Sequence, residues 1–105
     1  MIRKMPKNNP ILTLAVASSL LSLHPRTLML YEKESLIKPH RTGTNRRLFS
    51  SADLARIQFI QYLVSNVGVN LKGARVIITL LEKAANKYPS LKKDLFPNFT
   101  EKDLL

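Results

Sequence analysis

A short polar break, Ser22-Leu23-His24-Pro25, separates two stretches with helical apolar spacing and constrains the fold more than any other feature. Upstream of it, Thr13 is a suitable N-cap for a helix over about 14–21, because its hydroxyl can accept from an unpaired backbone N–H. Leu14, Ala17, Leu20 and Leu21 then fall on one face at three- and four-residue spacing. Downstream, Pro25 suits the first turn of a second helix, where a missing N–H costs nothing. That helix runs to about Glu34 and buries Leu28 together with Leu30 or Tyr31. Two short helices across a tight break are the skeleton of a helix-turn-helix.

The rest of the chain extends this motif. Ile11-Leu12 reads as a short strand, and residues 1–9 as a loose basic arm containing Pro6. After the second helix, the apolar pairs Leu36-Ile37 and Leu48-Phe49 flank a polar, turn-rich tip, which predicts a two-stranded hairpin, or wing. Ser50 followed by Asp53 is a partial capping box that announces a third helix, with Leu54, Ile57, Phe59, Ile60 or Gln61, Leu63 and Val64 on its apolar side. Gly68 fits just beyond its end. Asn70 caps a fourth helix, whose stripe of Ala74, Ile77, Ile78, Leu81, Ala84, Ala85 and Tyr88 stops at Pro89. The expected organisation is an arm over 1–9, a mainly α domain over 10–88, and a tail over 89–105. The tail is expected to hold a short amphipathic turn or to dock on a partner.

Charge narrows the function. Lys and Arg number 17 against 7 Asp and Glu, for a net +10, in a chain of 105 residues. The excess is uneven: residues 1–50 hold nine basic and two acidic side chains (net +7), residues 51–105 eight and five (net +3). Such asymmetry points to a polyanion, either nucleic acid or an acidic membrane surface. With no cysteine, disulfides, thiolate zinc, Fe–S clusters and thiol catalysis are excluded. The two histidines, His24 and His40, have no carboxylate cluster nearby, so no metal is expected. Gly occurs only at 43, 68 and 73, which leaves no phosphate-binding Gly loop, and no nucleophile–base pair is visible. No cofactor and no enzymatic activity are expected.

Arg3, Lys4 and Lys7 followed by Ile11–Leu23 imitate a signal peptide, with Ala15-Val16-Ala17 as the imitation cleavage site. The Ala-Val-Ala lies inside the apolar run rather than after it, and thirteen residues are too few to span a bilayer. The chain reads as cytoplasmic.

The run from His24 to Pro39, Pro25-Arg26-Thr27-Leu28-Met29-Leu30-Tyr31-Glu32 and then Leu36-Ile37-Lys38-Pro39, resembles the second helix and following turn of the mercury-resistance-regulator (MerR) family. The likeness continues through Arg41-Thr42 and Arg47-Leu48-Phe49-Ser50, and it covers roughly residues 11–85. It implies a winged helix-turn-helix followed by two helices, and a bacterial regulator that reads double-stranded DNA at the nucleoid. Leu23-His24-Pro25 and Leu30-Tyr31-Glu32 look like the heat-shock repressor (HspR) branch. That branch implies a repressor of chaperone genes with the chaperone DnaK as co-repressor. The pattern is departed from in three places: Met29 stands where the family has Arg, Ser35 where it has Gly, and Thr44-Asn45 where it has paired glycines. Met29 removes one expected phosphate contact; Ser35 and Thr44 are poorly suited to positive φ, whereas Asn45 tolerates it.

The resemblance assigns the DNA-facing residues. Arg26 and Thr27 lie near the start of the second helix, the part that faces base edges, where an Arg can grip guanine O6 and N7. His24 is a helix-start or DNA-proximal contact, and for Tyr31 core packing and phosphate contact both stay open. Arg41, Asn45, Arg46 and Arg47 belong to the wing, expected against the backbone or in a minor groove, and Lys33 and Lys38 add phosphate contacts. A homodimer or a cooperative assembly on DNA is expected, although Pro89 interrupts the chain where the family has its long dimerisation helix. Two other readings share this layout: an excisionase-like DNA-bending accessory factor, and an interaction adaptor that has lost DNA affinity.

Overall fold

The computed structural model describes residues 7–105; most of the expected basic arm, residues 1–6, lies outside the described residues. The described chain runs β1 (Leu12–Thr13), α1 (Leu14–Leu21), α2 (Pro25–Lys33), β2 (His40–Arg41), β3 (Arg47–Phe49), α3 (Ser51–Tyr62), α4 (Leu71–Ala84) and α5 (Leu91–Leu95), with a π-helical turn at Leu63–Val67. The fold is mainly α, with a small antiparallel sheet ordered β1-β3-β2.

Local chemistry sets the helix ends. Thr13 Oγ1 accepts from the Val16 N–H at 3.2 Å and starts α1. Ser22, at φ 55°, turns the chain out of α1, and the Leu23 N–H closes back on the Ser18 carbonyl at 3.0 Å. At the end of α2, Ser35 takes φ 60°; its N–H reaches the Glu32 carbonyl at 3.0 Å, while the Leu36 N–H reaches the Tyr31 carbonyl at 2.9 Å. That is a complete Schellman closure built on serine where glycine is the usual residue. The capping box of α3 is fully formed: Ser50 Oγ accepts from the Asp53 N–H at 3.1 Å, and Asp53 Oδ2 accepts from the Ser50 N–H at 2.8 Å. The start of α3 is also met by the Lys7 carbonyl, which accepts from the Ala52 N–H at 2.8 Å, so the described end of the expected loose arm is tied down. Gly68, at φ 90°, ends the π-helical turn, and Asn70 Oδ1 caps α4 by accepting from the Gly73 N–H at 2.8 Å.

The wing differs from expectation. Leu48-Phe49 is indeed a strand, but its partners are His40-Arg41 on one side and Leu12-Thr13 on the other, not Leu36-Ile37. Leu36 and Ile37 are instead core residues, buried directly after the Ser35 turn. Pro39 has no N–H to lend a ladder, and the Leu36 carbonyl is taken by the Arg56 guanidinium, Nε to O, at 2.6 Å. Among the described residues the sheet has three strands: the two of the wing and β1, the short strand expected near Leu12.

One core joins Ala17, Leu28, Tyr31, Leu36, Phe49, the α3 residues Leu54, Ile57, Phe59 and Ile60, then Leu63, Ala74 and Ile78. Leu30 is left outside it. Helix α4 stops at Ala84, short of the expected Tyr88, which is exposed. The residue before Pro89 is sterically pushed away from helical geometry. The tail docks on its own chain. Phe96 and Phe99 meet Phe59 edge-on, with ring centroids 5.5 and 5.1 Å away, and Gln58 exchanges two hydrogen bonds with the Lys102 backbone at 2.8 and 3.0 Å. Lys92 lies over the Phe59 ring, 4.3 Å from its centroid. Burial lowers the Lys92 pKa, opposed by the charge of Glu101.

Candidate nucleic-acid interface

Helix α2 has two chemically opposite sides. Leu28 and Tyr31 face the core, whereas Arg26, Met29, Leu30 and Lys33 are exposed. The exposed four sit at three-, four- and seven-residue steps and so share one face. The helix begins at His24, whose Nδ1 accepts from the Arg26 N–H at 3.0 Å, followed by Pro25 in the first turn. His24 is thus an N-cap. Thr27 is half-buried beside it, its N–H on the His24 carbonyl at 2.9 Å.

Beside that face stands the wing, held there by one carboxylate. Glu32 Oε1 accepts from Arg47 Nε at 2.7 Å, and both its oxygens accept from Arg41 Nη2 at 3.1 Å. Partial burial pushes the Glu32 carboxyl up, but hydrogen bonds and charge from Arg47, then Arg41, outweigh it and hold its pKa below the usual glutamate value. Arg41 also donates from Nη1 to the Asn45 carbonyl at 3.1 Å, bracing the wing turn. Asn45 alone of the tip residues takes positive φ, 63°, so the mismatch expected at Thr44 does not arise. Thr44 instead lies 3.0 Å, oxygen to oxygen, from the Thr42 hydroxyl. Arg46 is exposed at the tip.

The expected site residues therefore separate. Arg26, Lys33 and Arg47 meet around one shallow depression, which Met29, Leu30 and Glu32 complete. Lys38 and Arg41 border another, with Asn8, His40 and the start of α3 at Asp53. Tyr31 leaves the interface: it is 3% exposed, and its hydroxyl donates to Gln61 Oε1 at 2.6 Å. Burial raises its pKa, as befits a phenol in the core. Arg41 and Arg47, expected as DNA contacts, are first of all the wing's anchors on Glu32. Sequence reasoning missed Glu32 itself, because a carboxylate on a DNA-facing helix has meaning only once two arginines are folded against it. It also missed Arg56, which binds the Leu36 carbonyl and pairs with Glu82.

Among the described residues no group of three or more His, Asp or Glu is placed to hold a metal ion. No helix there is long and apolar enough to cross a membrane.

Comparison with known proteins agrees with this geometry. Residues 12–81 match the family described as MerR HTH family regulatory protein. The heat shock protein HspR of Streptomyces coelicolor is 33% identical over 82 residues, which cover 78% of this chain and 54% of that protein. The HTH-type transcriptional regulators GlnR of Bacillus anthracis and Bacillus cereus are each 30% identical over 76 residues, 72% of this chain and 58% of theirs. The chain spans little more than half the length of these relatives. The matched stretch contains the helix-turn-helix, the wing, α3 and most of α4, and these relatives are named as regulators or as a heat shock protein, not as enzymes. This chain belongs to the MerR family of helix-turn-helix regulatory proteins.

Proposed function

We propose that this protein binds double-stranded DNA sequence-specifically and regulates transcription as a repressor, with heat-shock chaperone genes as its targets. The observation that carries the reading is the exposed face of α2, headed by Arg26 and flanked by wing arginines that Glu32 anchors in place. A helix so presented can enter a major groove while the wing lies along the phosphates. In this reading Arg26 contacts a base, assisted by His24 and Thr27 at the helix start. Lys33, Lys38, Arg41, Asn45, Arg46 and Arg47 contact the backbone. Residues 10–88 form the DNA-binding unit, and 89–105 are a tail laid on α3.

The similarity to the heat shock protein HspR supports the choice of heat-shock targets. The repressor role, the chaperone DnaK as co-repressor and the cytoplasm as the place of action extend the resemblance carried by Leu23-His24-Pro25 and Leu30-Tyr31-Glu32. Two copies, as a homodimer or a cooperative pair on DNA, read the operator. Val76 and Leu80, exposed on α4, offer apolar surface for that pairing.

The test is selection from a random duplex library, followed by affinity across a salt series for the wild type and Arg26→Ala. One enriched motif is expected, with Arg26→Ala losing about 1–3 kcal/mol of discrimination at a single position. Weak binding that enriches no motif, with the same salt dependence in both proteins, overturns the proposal.

A further inference from the structure

The outward face of α2 has an unusual composition for a helix that meets a polyanion. Between Arg26 and Lys33 lie two large apolar side chains, Met29 at 41% and Leu30 at 43% exposure. Neither is needed inside, because Leu28 and Tyr31 already take the core side of the helix. Both border the same depression as Arg26, Lys33 and Arg47. The one carboxylate there, Glu32, is engaged by Arg47 and Arg41. The surface is therefore cationic at its edges and apolar at its centre, without a donor at Met29 or Leu30 to hold a phosphate.

A DNA major groove presents the complementary pattern: phosphates at its rims and, on its floor, one apolar group, the 5-methyl of thymine. We propose that Met29 and Leu30 form a thymine-methyl reading patch beside the guanine contact of Arg26. This inference rests on the DNA-binding reading and specifies what the site recognises. Methionine suits the task, since its unbranched, polarizable side chain adapts to a methyl group from several angles. Helical rise sets the reach: Met29 and Leu30 stand about 4.5 and 6 Å along the axis from Arg26, against about 3.4 Å per base pair. The thymines read lie within two base pairs of the guanine that Arg26 contacts.

The probe is the duplex enriched by the full-length protein, remade with deoxyuridine in place of thymine at one position at a time. Uracil keeps every hydrogen-bonding group and removes only the methyl. Wild-type affinity falls about fourfold for each methyl read, the worth of burying one methylene-sized group, and only within two base pairs of the Arg26-dependent guanine. Met29→Ala and Leu30→Ala each reduce that penalty, and the combined variant abolishes it while more distant positions are unaffected. Both side chains are exposed, so the variants fold, and circular dichroism verifies this. An enriched motif without thymine in that window, or a uracil penalty unchanged in the combined variant, overturns the inference and leaves DNA reading intact. If no motif is enriched, both fall together.

Discussion

Glu32 and Arg47 are 2.7 Å apart across the boundary between helix α2 and strand β3, and the pair ties the helix to the wing. Arg41 completes the arrangement from β2 at 3.1 Å. An acid in a basic surface weakens attraction to phosphate, yet here it fixes the angle at which two arginines are offered.

The first prediction follows from that relationship. Because Glu32's pKa is lowered in the folded state, its stabilising effect is present above the ordinary glutamate value, about 4.3. It is lost as pH falls from there through the lowered value. Glu32→Gln removes this acid-sensitive component from thermal unfolding profiles and costs about 1 kcal/mol or less at neutral pH, since the pair is partly solvated. In binding assays, the variant gains affinity for random DNA and loses discrimination for the enriched motif.

Tyr31→Phe separates a core role from a DNA role. The variant leaves Gln61 Oε1 without the hydroxyl that now donates at 2.6 Å. Denaturant unfolding is expected to show a loss of about 1 kcal/mol. DNA affinity and its salt dependence are expected to match the wild type; a marked change in the salt slope overturns the core assignment.

Ser35→Gly tests the strained end of α2. Serine there holds φ 60°, which glycine adopts without a Cβ penalty. The substitution is expected to stabilise the protein by about 1 kcal/mol, read as a rise in Tm, with no change in the enriched motif.

Met29→Arg restores the cation found at this place in the MerR pattern. It is expected to raise affinity for all duplexes and to steepen the slope of log affinity against log salt by about one. Preference at the thymine positions falls at the same time, because a charged fork replaces the apolar contact.

The local punctuation of the chain is legible in the order of its residues. Thr13, Ser50 with Asp53, Asn70 and Gly68 all act where short-range chemistry says they should, because caps and left-handed ends depend on a few neighbouring residues. The break at Ser22 to Pro25, the apolar period of α3 and the family pattern likewise lie wholly in sequence order, and together they specify a winged helix-turn-helix with a basic face. Tertiary structure decided what depends on neighbours far along the chain. It sent Leu36 and Ile37 into the core and gave β3 the partners His40-Arg41 and Leu12-Thr13, since two apolar residues suit a strand and a buried turn equally well. It placed Tyr31 inside and Leu30 outside, a choice that adjacent positions on a helix leave to the surface available for packing. It laid Phe96 and Phe99 on Phe59, closing the tail onto α3. And it turned Arg41 and Arg47 toward Glu32, because a charge finds its partner only when folding brings the two within reach.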